Sequence, residues 1–464
     1  MNRNFATSQP NSLYAWSILG LRLAALFVGI IVSGAGSASA QQSFRELVGN
    51  VKVEAVKKSP SLTVPYITWG GDVATFHANG GLKTTGDSEY KRLGLDIQLV
   101  PGDDFVGQVK NYISGKTPFL RGTVHMLGQA SEVLGEDPRT KPVVILQLSW
   151  SAGDHIVARK QVRNLNDLKG KKIAVQQGGP HVGLLYDSLS AAQLNKDDVQ
   201  IVWTKDLTGP GGAAEQFRKD ATIDACCVIT PDMLGLTGGF DSAGSGAEGT
   251  VDGAHVINST QQMSRSIADV YAVRRDWFDA NKDWVKKFVA GYLKSTNATV
   301  AMRKQFEESK KMSPEYQKLL GTAQKIFGTD VLPTLEVDAH GLMLDCAFVG
   351  LPGQIAFFES SGNLSGFEAK TKEALDLAEK WGYAKSRRGF DPAGWSYEEI
   401  AKLGGIPYET PKNAARFEES AEATHQFFGE NLDANTIVSF TISFEPNEQQ
   451  FSADRYSAEF ERAR

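Results

Sequence analysis

The sequence predicts an α/β protein in which buried, mostly parallel strands alternate with helices. Three observations support this: short apolar runs, intervening helical segments, and polar, glycine-rich clusters at the carboxyl ends of the runs. Apolar runs without polar alternation are typical of strands that are covered on both faces. The runs lie at residues 61–67, 95–100, 143–148, 173–175, 200–204 and 223–229, and two later ones at 256–258 and 267–273.

The second half of the chain is largely helical by the same criteria. The spacing of its apolar residues is typical of helices that pack one face against a core. The predicted helices are residues 276–296, 304–327, 335–350 and 368–383. Seven glycines within residues 235–253 indicate a surface loop instead. Beyond about residue 385, paired arginines and several prolines indicate that the long helices end and that only short helical pieces follow.

The first 40 residues have the order of a secretory signal. They contain no acidic side chain, an apolar run follows Arg22, and small residues lead to Ala40. We therefore expect cleavage after Ala40 and a periplasmic mature protein. The alternative is an uncleaved N-terminal anchor, which the shortness of the apolar run makes less favourable.

Composition narrows the class of partner and of cofactor. The 464 residues carry a net charge of −5 without any basic run, which argues against nucleic acid as a partner. The three cysteines, Cys226, Cys227 and Cys346, allow at most one bridge, and their apolar context favours small core residues. No Cys-x-x-Cys or histidine-rich spacing occurs, so the sequence predicts neither a metal nor a cofactor.

One glycine-rich bend stands between a predicted strand and a predicted helix. Residues 177–180 read QGGP, after the strand at 173–175 and before a helix that opens at His181. Pro180 suits a first helical turn because it lacks an N–H and has a preset φ. Glycine lets backbone amides approach a ligand at a helix N-terminus, where an anion is favoured. The alternative is a strand-to-helix turn without any ligand.

Two stretches of the chain resemble the periplasmic solute-binding proteins of ABC importers, especially the nitrate/sulfonate/taurine type. They are residues 167–175, DLKGKKIAV, with the glycine bend, and residues 264–278, SRSIADVYAVRRDWF, with the amphipathic helix that follows. The resemblance implies a two-lobed, type II-like periplasmic-binding-protein fold with a helical C-terminal extension. Its implied parts are a linker at 41–58, lobe 1 at 59–155 and 258–385, lobe 2 at 156–257, and an extension at 386–436.

The last residues resemble a different family. Residues 437–464, a predicted strand and helix, look like the opening of the outer-membrane-protein-A-like peptidoglycan-binding module. The later strands of that module, and the residues it uses on cell-wall peptide, do not occur in this sequence. The segment is either a fragment of a longer fusion or a vestige.

The resemblance places the ligand between the lobes, at loops that follow the strands. Each candidate also has a structural alternative: the aspartates as helix caps, the tryptophans as plugs between lobes, and the cationic clamp as a hinge ion pair. His181 could equally be a capping or surface residue. The candidates are Trp69, Gly70, Asp72, Asp104, Trp150, Ser151, Asp154, Gln177, Gly178, Gly179, His181, Thr230, Asp232 and, as the clamp, Arg265.

The leading functional hypothesis is a receptor without catalytic residues. It would capture a small polar solute, an oxyanion or a zwitterion, and deliver it to an ABC permease in the inner membrane. The alternative is a cell-envelope sensor or adaptor that is linked to peptidoglycan through the C-terminal segment. The third hypothesis is an enzymatic role. The fold is shared with pyrimidine-precursor synthases that use a cysteine-rich segment, and Cys226-Cys227 faintly resembles that segment. The expected export of the chain argues against this hypothesis.

Overall fold

The computed structural model describes residues 42–408, apart from 264, 330 and 361–362. The predicted signal at 1–40 and the predicted strand and helix at 437–464 lie outside the described residues. The strands are β1 (Leu62–Tyr66), β2 (Ile97–Pro101), β3 (Phe119–Thr123), β4 (Pro142–Ser151), β5 (Asp154–Ala158), β6 (Lys172–Gln176), β7 (Gln200–Thr204), β8 (Ala225–Ile229), β9 (His255–Ser259), β10 (Ala268–Arg274), β11 (Cys346–Phe348) and β12 (Asp391–Pro392).

Helices connect most of these strands and dominate the C-terminal half. A π-helix at Leu335–Ala339 and several short 3₁₀ turns complete the secondary structure. The α-helices are α1 (Phe44–Val48), α2 (Gly70–Asn79), α3 (Glu89–Arg92), α4 (Phe105–Ile113), α5 (Val124–Gln129), α6 (Ser131–Leu134), α7 (His181–Ala191), α8 (Ala213–Lys219), α9 (Thr230–Thr237), α10 (Arg275–Ala280), α11 (Lys282–Ser309), α12 (Pro314–Phe327), α13 (His340–Leu344), α14 (Leu351–Glu359), α15 (Phe367–Lys380) and α16 (Tyr397–Gly404).

The strands form two groups, which we call lobe 1 and lobe 2. Lobe 1 contains the pair β1-β2 and a sheet ordered β11-β4-β10-β3, with β12 beside β4. Lobe 2 contains the sheet ordered β7-β6-β8-β5-β9. The chain passes from lobe 1 to lobe 2 between β4 and β5, and it returns between β9 and β10. These two passages, the crossovers, are the covalent links between the strand groups.

The prediction of parallel strands is correct only where a helix connects them. The pairs β1-β2, β6-β7 and β6-β8 are parallel. By contrast, β5 is antiparallel to β8 and β9, and β10 is antiparallel to β3 and β4. The two strands that follow the crossovers, β5 and β10, each lie between two strands that run in the opposite direction.

Residues 335–350 do not form the single helix that the sequence predicts. The π-helix and α13 occupy the first ten residues, and the chain then extends as β11. Cys346 and Phe348 pair with Ser151 and Ser149 of β4. This prediction is wrong because a free sheet edge captured the segment, and tertiary pairing overrides a weak helical propensity.

Helix α15 and the residues after it lie against both lobes. The residues predicted as a linker also join this region: Phe44 of α1 is fully buried, and its N–H donates to the carbonyl of Tyr383 at 3.0 Å. One hydrophobic cluster consequently includes Val144 of lobe 1, Val175 of lobe 2 and Leu377 of α15. Within the described part of the chain, no helix is both long and apolar enough to cross a bilayer.

Candidate functional site

Asp154 is the centre of a buried polar group at the first crossover. Its side chain is 4% exposed. Its Oδ1 lies 2.7 Å from Nε2 of His181, the first residue of α7, and its Oδ2 accepts from the Ser151 hydroxyl. The Asp154 N–H donates to Oγ1 of Thr260 at 3.0 Å. Thr260 follows β9 and lies in the second crossover. Asp154 therefore connects both crossovers to the start of α7.

Thr230 extends this group toward α13. Its Oγ1 lies 3.0 Å from Nε2 of His155, and its hydroxyl donates at 3.3 Å to the carbonyl of Gly153, which lies beside the Asp345 carboxyl. Burial raises the pKa of Asp345 to about 7, and nearby Asp154 adds to the rise. Burial lowers the pKa of His155 to about 4. Sequence reasoning missed both Asp345 and His155 as site residues. Asp345 follows no predicted strand, and His155 was not chosen although it comes directly after Asp154, behind the predicted strand at 143–148.

Asp72 belongs to a separate internal ion-pair triad. Arg121 of β3 donates from Nη2 to Asp72 Oδ2 at 2.8 Å and from Nη1 to Asp269 Oδ1 at 2.9 Å. Its Nη1 also donates to the Gly122 carbonyl at 2.9 Å. Burial raises the pKa of Asp72 to about 6, although Arg121 opposes the rise. The guanidinium therefore pairs with both carboxylates, and Asp72 supports the fold of lobe 1, while its contact with a solute stays a prediction.

The glycine bend has the geometry that its sequence requires. Gly178 has φ +71°, which favours glycine, and a Cβ on Gly179 would lie 2.2 Å from Gln176 Oε1. The amides of Val182 and Gly183 donate back to the carbonyls of Gly179 and Pro180, at 3.4 and 3.3 Å. Because those two amides bond within the turn, fewer backbone N–H groups remain to bind the expected anion at this helix start.

The remaining candidates lie on packing surfaces. Trp69 precedes α2 and is 6% exposed, while a Cβ on Gly70 would lie 2.3 Å from the Leu342 carbonyl of α13. Trp150 packs edge-on against Phe357 of α14, with ring centroids 5.9 Å apart. Arg265, in the second crossover, has φ +67°. A left-handed conformation is uncommon for arginine and marks this crossover as a specialised segment.

Asp104 is a helix cap. Its Oδ1 accepts from the Gly107 N–H at 2.9 Å, at the start of α4, and the side chain is exposed. Its neighbour Asp103 instead bonds the end of β1, accepting from the Thr68 N–H at 2.7 Å. The capping alternative is therefore the one that describes Asp104, because the carboxylate satisfies an otherwise open amide of α4.

Replacing Asp104 by alanine should lower the free energy of unfolding by about 1 kcal/mol, the usual cost of losing an N-cap. Urea unfolding monitored by circular dichroism measures this. Asp104→Asn is the matched control, since asparagine caps almost as well. Solute affinity should be unchanged in both variants. A large loss of affinity in either one would return Asp104 to the binding site.

Four of the candidates carry buried polar atoms without a hydrogen-bond partner among the described residues. Buried orphan donors and acceptors destabilise a protein unless something satisfies them. In one of the four, Asp232, burial also raises the pKa of the carboxyl, although Arg218 opposes the rise. The four atoms are Trp69 Nε1, Gln177 Nε2, His181 Nδ1 and Asp232 Oδ2.

One group of side chains has the atom types of a metal site. His125, Asp187 and Glu373 each place one donor atom within 4.8 Å of the others. Lys370 already donates to Glu373 Oε2 at 2.8 Å and is 7% exposed. Because Lys370 already pairs with Glu373, we assign this group as an ion-pair network and not as a metal centre.

A cavity of about 350 Å³ opens elsewhere on lobe 1. It is lined by Gly135, Glu136, Pro138, Lys141, Arg388 and Gly389. None of the candidate residues lines it, and Lys141 is paired with Asp391 at 2.7 Å. The polar groups at the crossovers are the better site, since they combine burial, charge and elements of both lobes.

Comparison with known proteins agrees with this geometry. Residues 90–305 match the family described as NMT1/THI5 like. A search of curated protein sequences found no significant match. Among solved structures, the periplasmic aliphatic sulphonate binding protein SsuA from Escherichia coli is 14% identical, with a TM-score of 0.50; the match covers 71% of this chain and 96% of that one.

Two further structures are similar but score lower. A periplasmic sulfonate-binding protein SsuA from Methylobacillus flagellatus is 16% identical over 77% of this chain and all of its own, with a TM-score of 0.49. The nitrate-binding protein NrtA from Synechocystis is 13% identical over 76% of this chain and 86% of its own, at 0.45. At such identities the likeness shows the fold alone. Residues 90–305 thus match the NMT1/THI5-like family, and the chain has the two-lobed fold of the periplasmic solute-binding proteins.

Proposed function

We propose that this protein is an extracytoplasmic receptor that captures a small polar solute between its lobes for import by an ABC permease in the inner membrane. The single observation that carries the proposal is the polar group at the crossovers, where Asp154 contacts His181 and Thr260. Lobes that are joined by two adjacent crossovers can rotate about them and enclose a solute. The sulphonate-binding structure with the same fold supports this role.

The orphan polar atoms describe what the solute must offer. Trp69 Nε1 and Gln177 Nε2 are donors, while Asp232 Oδ2 is an acceptor. A solute that carries both acceptor and donor groups would satisfy all three. This favours an oxyanion with a second polar group, or a zwitterion, over a fully apolar solute.

A thermal-shift panel tests the receptor role. The full chain is unfolded and refolded to remove any co-purified solute, and then mixed with sulfonates, nitrate or amino acids at constant ionic strength. We expect one class to raise the melting temperature, because binding to the folded state alone stabilises it. Chromatography of the mixture should recover the solute unchanged. If no class shifts the melting temperature, the receptor role is wrong.

Trp69→Phe then tests the site. Phenylalanine keeps the packing but removes the Nε1 donor, so affinity for the stabilising solute should fall about tenfold, the value of one hydrogen bond. Trp395→Phe is the matched control, since Trp395 packs against Phe278, with ring centroids 5.9 Å apart, and is not a candidate. Isothermal titration calorimetry measures both variants. Equal affinities would remove Trp69 from the site.

A further inference from the structure

Helix α15 is a strap across the two lobes. On the lobe 1 side, a Cβ on Gly128 of α5 would lie 2.6 Å from Ala374 Cβ, so the two helices are in close backbone contact. On the lobe 2 side, Lys380 Nζ donates to the Tyr186 hydroxyl at 3.2 Å, and the Tyr186 ring packs edge-on against Trp381. Lobes that separate must therefore pull away from one face of α15.

Titratable side chains of α5, α7 and α15 meet where the strap contacts the two lobes. Glu373 of α15 lies with Oε1 3.1 Å from His125 Nε2 of α5, and its Oε2 accepts from Lys370 at 2.8 Å. A carboxyl oxygen of Asp187 in α7 lies within 4.8 Å of a carboxyl oxygen of Glu373 and of a ring nitrogen of His125. Oδ2 of Asp187 accepts at 2.5 Å from the hydroxyl of Ser266, a residue just before β10. Two carboxyl groups can share a hydrogen bond only when one of them holds a proton.

We assign the shared proton to Asp187. Burial and the neighbouring Glu373 raise the pKa of Asp187 to about 7. Burial alone would raise the pKa of Glu373 too, but Lys370 and His125 outweigh it and hold that pKa well below the usual range. As the pH rises through about 7, Asp187 therefore loses its proton beside an ionised Glu373, and the contact changes from attraction to repulsion.

We propose that the Asp187–Glu373 contact is a proton-dependent latch, which holds α7 of lobe 2 against the strap while the proton is shared and releases the lobes when it is lost. The inference rests on the proposed function in one respect, namely that the lobes separate to admit a solute. Solute binding itself does not depend on the latch, so each can fail without the other.

The sign of the pH dependence follows from proton linkage. The latched form binds the Asp187 proton more tightly than the released form, in which the pKa returns toward its ordinary value of 3.8. The latched form is therefore most favoured at acid pH and is weakened as pH rises to about 7. For one proton, the ratio of open to closed molecules should rise by up to about tenfold per pH unit in that window.

The test measures the distance between the lobes by electron paramagnetic resonance. Spin labels are placed at Lys205→Cys in lobe 2 and Lys311→Cys in lobe 1, both exposed, while the native cysteines are buried. We expect the open fraction of the full chain to grow between about pH 5 and pH 7 without solute. The variant Asp187→Asn, which mimics the protonated acid, should stay closed throughout.

The control is Asp197→Asn, an exposed aspartate of the same lobe, which should follow the parent protein. If Asp187→Asn opens with pH as the parent does, another group is responsible and the latch is wrong. The same conclusion follows if the parent shows no pH dependence while a solute from the thermal-shift panel still closes the lobes. Failure of every solute to bind or close the protein would instead overturn the proposed function.

Discussion

Replacing Arg121 by methionine should lower the free energy of unfolding by about 3–5 kcal/mol, the usual cost of removing one partner from a buried ion pair. Arg121 is fully buried, and its removal leaves Asp72 and Asp269 in lobe 1 without their cation. Urea unfolding near neutral pH measures the change. The loss should be smaller at about pH 5, because protonation then relieves the two carboxyl groups.

Two further variants make the Arg121 prediction specific. Arg163→Met removes an arginine that is 81% exposed and pairs with Asp167 at 3.8 Å, so its cost should stay below about 1 kcal/mol. The double variant Arg121→Met, Asp72→Asn should recover part of the lost stability, since it removes one of the orphaned charges. If Arg121→Met alone proves as mild as Arg163→Met, the triad contributes little to the fold.

Replacing Asp345 by asparagine should have the opposite sign and stabilise the protein. The pKa of Asp345 is about 7 in the folded protein against an ordinary 3.8, so folding favours the protonated form. Its ionised form costs stability progressively from about pH 4 to pH 7, and the full cost is present above that. At about pH 8, asparagine should therefore raise the free energy of unfolding by roughly 2–4 kcal/mol.

The pH dependence identifies the cause. At about pH 3, below the ordinary pKa of 3.8, Asp345 is mostly protonated in both states, and the variant and the parent should unfold at nearly the same urea concentration. Asp279→Asn is the surface control; that carboxylate is 51% exposed, and it should change stability little at either pH. A constant difference between Asp345→Asn and the parent at all pH values would show that packing, and not charge, is responsible.

A stabilising effect at this position has a functional reading. A Cβ on Gly153 of the first crossover would lie 2.5 Å from Asp345 Cγ, and the Asp345 carbonyl accepts from the Ala152 N–H in the same crossover at 2.8 Å. Ionisable groups that destabilise a fold often persist where binding needs them. We therefore expect Asp345→Asn to weaken solute capture while it strengthens the fold; calorimetric titration measures the first effect and urea unfolding the second.

The sequence located the strands that are continuous apolar runs. The strand predicted at 200–204 has those bounds in the structure, and the one at 173–175 is extended by one residue at each end. Strands β3 and β5 were missed, because Arg121 and His155 interrupt their apolar pattern. In the folded chain both side chains are fully buried, and distant residues bond them: Asp269 pairs with Arg121, and Thr230 lies 3.0 Å from His155 Nε2. Single-sequence patterns cannot contain those partners, so such strands stay hidden.

The candidate site was predicted in part. Ser151, Asp154 and His181 were chosen because they follow strands or open a helix, and the structure brings these three together. Asp104 shares the same local signal, yet it caps α4. Whether a carboxylate after a strand faces the crossover or its own helix depends on which way the backbone leaves the strand. The residues near it in sequence are alike in both cases.

By itself, the sequence determined the α/β class, the glycine bend before α7 and the likeness to periplasmic solute-binding proteins, since periodicity and backbone demands are local properties. Only the tertiary structure decided which charged side chains pair with one another inside the fold and which lie at the crossovers. Arg121 meets Asp269, a residue 148 positions away, and Glu373 of the strap meets His125, 248 positions away. Electrostatic pairing depends on distance in space, and the order of residues along the chain does not encode it.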